Sequence, residues 1–469
     1  MKTVLFSTYD LGRQPFGLAS PAAWLRSAGL DVECIDLSRQ QFPQESLRSG
    51  AVIGFYLPMH TATRLAIPYL KQSRKISPDA VICCYGLYAP MNEAFLRSLG
   101  VDVILGGEFE EDLLKLALQL GTHQTFTNGT SLVGSSVAIA RQRFQVPDRS
   151  DLPDLSHYAQ LILPEGERRV VAFTEASRGC KHLCRHCPIV PIYNGQFRIV
   201  QPDIVLADID QQVNAGATHI SFGDPDFFNG PGHSLKIVRT LHERYPQLTY
   251  DVTIKIEHLL KYSTHLEVLK DTGCLWVTSA VESIDDRVLE MLDKDHTKKD
   301  FLNVLKHFRE IGLNLSPTFV PFTPWTTREG YLELLQLLAE EKLTEQVAPI
   351  QLAIRLLIPS GSKLLELPEI QNVIRGFDDA SLCYRWDHED SSMDELWNQI
   401  RQLIRKSEVQ SLNRNQIFSA IWRLSDPSKF GGDRIISDLN SPLPYTAIPY
   451  LSEDWYCCAE PNEDQLARV

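Results

Sequence analysis

The chain has 469 residues, 43% of them apolar and 22% charged, with a formal net charge of -13. That length accommodates roughly two to four domains, and the acidic balance argues against a protein that grips phosphate backbones through dense lysine and arginine, so no nucleic acid partner is expected. No stretch approaches the roughly 18 apolar residues of a membrane helix, and the opening MKTVLFSTYDLGRQPFG lacks the apolar run of a signal peptide, so a cytoplasmic protein without membrane contact is expected.

Short apolar runs alternate with helical patterns through residues 1–125. Strands are predicted at Thr3–Phe6, Val32–Ile35, Val52–Tyr56, Ala80–Tyr85 and Val101–Leu105, with helical stretches such as Ala62–Arg74 and Glu110–Leu120. Such units imply α/β architecture: a doubly wound, Rossmann-like parallel sheet with helices on both faces. Residues 126–168, rich in polar and turn-forming types, read as a linker.

The alternation resumes over 169–365. Strands are expected at Val170–Phe173, His219–Phe222, Tyr250–Ile256, Leu275–Val281, Leu315–Val320 and Ile350–Leu357, separated by helical patterns such as Ile204–Asn214 and Phe301–Glu310. Six such units are too few for an eight-fold barrel and predict a partial (β/α)6 TIM-type barrel, with its chemistry on loops at the carboxyl ends of the strands. Residues 366–469 form a mainly helical and irregular region, with helices expected at Met393–Arg405 and Asn415–Leu424, and end in LSEDWYCCAEPNEDQLARV.

Three of the ten cysteines fall in SRGCKHLCRHC, as Cys180, Cys184 and Cys187, directly after the first strand of the second series. Ten cysteines in a long cytosolic chain suggest metal or redox chemistry, not a disulfide framework. A structural zinc site would need a fourth ligand, which His182 or His186 could lend at an awkward reach, and no second Cys-x2-Cys pair exists elsewhere. An iron–sulfur cluster held by three thiolates leaves one iron open to a non-protein ligand, and the spacing favours it.

The pattern Cys180-x3-Cys184-x-His186-Cys187 resembles the radical S-adenosylmethionine (SAM) signature. The resemblance implies a [4Fe–4S] cluster whose open iron is chelated by the amino and carboxylate groups of SAM, and an electron donor such as flavodoxin or ferredoxin. It also implies reductive cleavage of a carbon–sulfur bond to give a carbon radical. By analogy of position, Asp224 and Asp226 in SFGDPDFFNG stand where the family holds the methionine amino group. Glu282 in SAVES resembles the acid that binds the ribose hydroxyls, and Arg355 suits the methionine carboxylate. Each also has a plain reading: turn-forming acids, a helix cap and a structural ion pair. Glu175 and Lys255 are equally ambiguous.

STYDLGRQPFGLASPAAWLRSAG, GFYLPMHTATRLAIPYLKQSRKISPDAVICCYGLYAP and VDVILGGEFEEDLLKL resemble the cobalamin-binding domain that precedes many radical SAM cores. The Asp-x-His-x-x-Gly motif that ligates cobalt is absent, and His60 stands outside any such pattern, so cobalamin binding and a vestigial scaffold both remain open. Cys83 and Cys84 read as small buried hydrophobes. WYCCAEP resembles the radical SAM proteins named for a CUAEP or CCAEP tail, some with selenocysteine in the pair. Cys457 and Cys458 are therefore expected to handle a substrate or supply reducing equivalents.

These features point to a radical SAM enzyme acting on a small molecule. The leading expectation is transfer of the 3-amino-3-carboxypropyl group of SAM to a thiophilic acceptor such as arsenite held by Cys457 and Cys458. The alternatives are a cobalamin-dependent radical SAM methyltransferase and a non-catalytic, zinc-stabilised binding protein. A methylthiotransferase acting on tRNA would call for a basic C-terminal module, which the acidic tail does not supply. The sequence leaves open the acceptor, the carbon–sulfur bond cleaved and the oligomeric state.

Overall fold

The computed structural model describes residues 2–121, 134–409, 412–426 and 448–453. Cys457 and Cys458 lie outside these residues. The first sheet contains β1 (Lys2–Ser7), β2 (Asp31–Asp36), β3 (Gly50–Tyr56), β4 (Val81–Tyr85), β5 (Val103–Gly107) and β6 (Ser135–Ala138), all parallel, in the order β2-β1-β3-β4-β5-β6. Successive residues of a strand face opposite sides, so continuous apolar runs give a sheet buried on both faces. Val4, Phe6, Ile53, Phe55 and Cys84 pack toward the helix His60–Ile76. Leu5, Val52, Cys83, Tyr85 and Leu105 pack toward the helices Phe16–Ser27 and Glu110–Gly121. Cys83 and Cys84 are thus fully buried on opposite faces, where loss of solvation pushes both thiols up.

The second sheet curls into a half barrel. It contains β7 (Gln160–Ile162), β8 (Arg168–Thr174), β11 (His219–Phe222), β12 (Thr249–Thr253), β13 (Cys274–Glu282), β14 (Asn314–Phe319) and β17 (Tyr450–Leu451), in the order β14-β13-β12-β11-β8-β7-β17. The strands from β8 to β14 are parallel, while β7 and β17 add antiparallel strands at the edge. Among the described residues two short ribbons complete the inventory: β9 (Ser177–Gly179) with β10 (Phe197–Ile199), and β15 (Ile374–Asp378) with β16 (Cys383–Trp386).

The sixth parallel unit differs from the expectation for Ile350–Leu357. Residues Pro349–Leu352 form a 3-10 turn, and the chain then meets the barrel in a single parallel bridge between Phe322 and Arg355. The reason is local. Proline carries no N–H for a ladder, and the Gln351 side chain accepts the Phe319 N–H at 3.2 Å, taking a donor at the end of β14. Helices Ser391–Val409 and Arg414–Ser425 pack over this edge, the second opened by an Asn413/Gln416 capping box. Among the described residues no helix is long and apolar enough to cross a membrane.

Candidate active site

The cysteine loop leaves β8 at its carboxyl end, runs through β9 and turns at Gly179. Gly179 has φ +75°, and a Cβ there would lie 2.5 Å from the Gln196 carbonyl oxygen, so only glycine fits. Two side chains from the loop after β11 hold the turn from behind. Asp224 accepts from the Ala176 N–H at 2.9 Å and from the Ser177 hydroxyl at 2.5 Å. Burial pushes its carboxyl up to about 7, against those two hydrogen bonds. Asn229, fully buried, accepts from the Lys181 N–H at 3.1 Å and lies 3.9 Å from the Cys180 sulfur. Cys180, Cys184 and Cys187 are all free of disulfides.

Asp226 sits deeper in the same loop. Its carboxylate caps its own 3-10 turn through the Phe228 N–H, and Oδ2 lies 2.7 Å from His258 Nδ1 and 3.3 Å from His182 Nε2. Burial opposes its ionisation, but the two histidines outweigh it and hold the carboxyl below its ordinary value. Lys255, which is buried, approaches His182 Nδ1 from the other side at 3.1 Å. Cys180, His182 and Asp226 bring one sulfur, one nitrogen and one oxygen within 4.8 Å of one another, a donor set that uses only one of the three cysteines.

Glu282 ends β13 in the left-handed region at φ +66°, beside a register shift against β14. A non-glycine residue held there stores local strain, a feature that clusters at functional sites. Its carboxylate lies 3.1 Å from His186 Nε2 and 3.3 Å from Lys294 Nζ. Burial would raise its pKa, yet Lys294 and then His186 bring it down to about 2. The Lys294 ammonium, itself buried, is held protonated against its burial first by Glu282, and Cys184 and Cys187 act in the same direction when they are thiolates. Soft thiolates beside a buried cation suit an anionic thiolate-ligated cluster, and this donor set fits [4Fe–4S].

The structure thus brings Asp224, Asp226 and Glu282 to the cysteine loop. It does not bring Arg355 there. That guanidinium donates to the Trp386 carbonyl at 2.6 Å, pairs with Asp394 at 2.5 Å, and lies 3.7 Å from the Trp386 ring centroid. Glu175 pairs with Arg178 at 2.6 Å. Asn229, His258 and Lys294 went unnoticed in the sequence. The one available hint was Lys294, which sits between Asp293 and Asp295, two turn-forming acids that both adopt positive φ.

Arg178, two residues before Cys180, joins this loop to the first sheet. It pairs with Glu108 at 3.1 Å and Glu110 at 2.7 Å, and its guanidinium lies 5.5, 5.4 and 5.0 Å from the rings of Phe16, Phe109 and Phe144. Tyr193 donates to Glu108 at 3.1 Å and packs with Ile192 into the first core.

A half barrel with three unbridged cysteines on the loop after its first parallel strand, beside a buried cation and three buried carboxylates, defines an α/β enzyme built around a thiolate-held centre. Residues 174–338 match the Radical SAM superfamily, so the chain carries a domain of that superfamily. The domain implies a [4Fe–4S] cluster and SAM as cofactors. The chain is similar to the threonylcarbamoyladenosine tRNA methylthiotransferase MtaB of Bacillus subtilis, 23% identical over 74% of this chain and 72% of that protein. It is also similar to the tRNA-2-methylthio-N(6)-dimethylallyladenosine synthase of Histophilus somni, 22% identical over 58% and 55%.

Two solved structures share the fold. The cobalamin-dependent SAM radical enzyme OxsB aligns with TM-score 0.67 at 16% identity, over 87% of this chain and 67% of that one. The radical SAM methyltransferase TsrM from Kitasatospora setae aligns with TM-score 0.57 at 15% identity, over 73% and 71%. Both relatives are named for tRNA, against the expectation of no nucleic acid partner.

Proposed function

We propose that this chain is a radical SAM transferase whose cluster is held by Cys180, Cys184 and Cys187 and whose substrate enters the half barrel. The observation that carries it is the loop itself: three cysteines without disulfides on one turn, fastened from behind by Asp224 and Asn229 and faced by Lys294. The cluster and SAM supply, when bound, one-electron cleavage of a carbon–sulfur bond. The chain's own residues do the positioning. Asp224 and Asn229 hold the loop backbone, Asp226 orients His182 and His258, and Glu282 presents a carboxylate beside His186 for the ribose hydroxyls. Arg355, committed to Asp394, contributes instead to docking the helix Ser391–Val409.

The finer reading is transfer of the 3-amino-3-carboxypropyl group to a soft acceptor such as arsenite, delivered by Cys457 and Cys458. Its support is the literal CCAEP sequence and the course of the chain. Glu453, at the lumen, precedes Cys457 by four residues, a span of at most about 14 Å. Cobalamin-assisted methyl transfer has the fold of the first sheet in its favour. Against it, Arg178, Tyr193 and the packed rings of Tyr56, Tyr85 and Phe109 fill the carboxyl edge of that sheet, so a corrin would have to displace them.

The test uses anaerobically reconstituted protein, reductant and SAM, with and without arsenite, and identifies the released nucleoside by mass spectrometry. 5′-Methylthioadenosine that increases with arsenite supports aminocarboxypropyl transfer. 5′-Deoxyadenosine indicates adenosyl-radical chemistry and rejects the finer reading. A colourless protein that binds zinc and no iron rejects the whole proposal.

A further inference from the structure

Below the cysteine loop, inside the half barrel, lies a cavity of about 80 Å³ that none of the three cysteines lines. That is room for on the order of half a dozen non-hydrogen atoms. Strand periodicity decides which residues face it. Val252, Val277 and Leu315 pack outward into the core, so Thr253, Thr278, Ser316 and Thr318 face inward and line it with hydroxyls. The opposite wall comes from far away in the chain: Arg13 from the loop after β1, and Arg414, Tyr450 and Glu453 from the C-terminal region.

Arg13 reaches the lumen through a tight turn. Leu11 and Gly12 have φ +50° and +68°, and the Arg13 N–H donates to the Asp10 carbonyl at 2.8 Å, the pattern of a type I′ turn. A Cβ at Gly12 would lie 2.8 Å from Glu453 Cβ, so glycine lets this loop close on the C-terminal segment. The guanidinium lies over Phe173 at 4.6 Å. Its Nε is buried without a hydrogen-bond acceptor among the described residues. Neither Arg13 nor Arg414 lies within ion-pair distance of a carboxylate among those residues; the Arg13 charge acts at longer range on buried Asp10, and the Arg414 guanidinium donates to the Glu345 carbonyl and lies over Tyr450. The two acids of the cavity are already engaged, Asp251 with His219 at 3.0 Å and Glu453 with the Tyr9 hydroxyl at 2.8 Å.

We infer that this cavity receives the acceptor substrate by an oxyacid group, held between the Arg13 guanidinium and the hydroxyls of Thr253, Thr278 and Thr318. Guanidinium donors and hydroxyls are the groups that bind such oxygens, and a buried donor with no acceptor is costly until one arrives. The location suits the chemistry, and here the inference rests on the radical SAM reading. Thr253 is two residues from Lys255, which touches His182, and Thr278 is four from Glu282, which touches His186. At roughly 3.3 Å per residue these are separations of about 7 and about 13 Å, so SAM bound at the cluster loop would border the cavity.

The oxyacid can be an organic carboxylate or an inorganic oxyanion, and two probes separate them. Isothermal titration of the reconstituted full chain with glycolate and, separately, inorganic phosphate is expected to show saturable binding of one. That probe names the source. Arg13→Gln is expected to weaken the binding at least tenfold, and the near-isosteric Thr318→Val about fivefold. Failure of both probes to bind the wild type, or unchanged binding in both variants with iron content and cluster absorbance intact, overturns the inference. A wild type that holds no iron overturns the cluster reading instead, and the two failures are distinguishable.

Discussion

Replacing Arg178 by methionine keeps much of the stem and removes the cation. Arg178 is 8% exposed and pairs with Glu108, Glu110 and Glu175 at 3.1, 2.7 and 2.6 Å. Removing one partner of a buried pair costs about 3–5 kcal/mol, because the remaining charge is stranded. Lost contact with the Phe16, Phe109 and Phe144 rings adds about 1 kcal/mol. The cost should depend on pH, with a definite sign. Burial raises Glu108 from 4.5 to about 7, although Arg178 pulls the other way. Its contribution to wild-type stability is therefore full below about 4.5 and is lost as pH rises through about 7. Without Arg178 the carboxyls rise further, so the variant loses stability more steeply over the same range. One extra proton held by the folded variant is worth about 1.4 kcal/mol per pH unit, so the deficit should grow by about 1–3 kcal/mol between about pH 6 and about pH 8. Urea unfolding of the anaerobic holoprotein, followed by tryptophan fluorescence at both pH values, measures it. A deficit below about 1 kcal/mol, or one independent of pH, refutes the reasoning.

Cys184→Ala should lower iron from about four atoms per chain to near zero while circular dichroism stays native, and a full iron content in the variant rejects the cluster assignment. Glu282→Gln leaves the Lys294 ammonium, 3% exposed, without its counter-charge. It should destabilise by about 3–5 kcal/mol and weaken SAM binding at least tenfold in equilibrium dialysis. Unchanged SAM affinity removes Glu282 from the nucleoside site. Asp224→Asn keeps one acceptor oxygen for the Ala176 N–H and turns its amide donor to the Ser177 hydroxyl, which must then accept and gives up the charge-assisted bond it donates in the wild type. A loss of about 1–3 kcal/mol is expected, with faster iron release in air, and iron release at the wild-type rate argues against its role in holding the loop.

The five strands expected in the first sheet were legible as apolar runs that bury both faces, and the first five of the half barrel as short runs whose outward face is apolar, an information content carried by neighbouring residues. Ser135–Ala138 escaped notice because an edge strand reading SSVA, half exposed, has no such run. Ile350–Leu357 misled for the opposite reason: its apolar run looks like a strand, but Pro349 and the Gln351 side chain decide the backbone. The cysteines were legible because their spacing is local. Asn229 meets Lys181 across 48 positions, and Arg178 meets Glu108 across 70. No window of sequence contains both partners of such a contact.

The strand Tyr450–Leu451 also sets a schedule for folding. It pairs with β7, and the Tyr9 hydroxyl waits for Glu453 across 444 positions. At about 5–20 residues per second, translation separates those two side chains by roughly 20 to 90 s. Within that interval the first sheet is complete before β7 emerges, the five parallel strands of the half barrel follow it, and from then until Tyr450 the outer edge of β7 presents unpaired N–H and carbonyl groups. An open edge is a template for pairing with another chain. The nascent protein is therefore most exposed to mis-association late in its synthesis, and a stall shortly before residue 450 should produce aggregates where one before residue 160 would not.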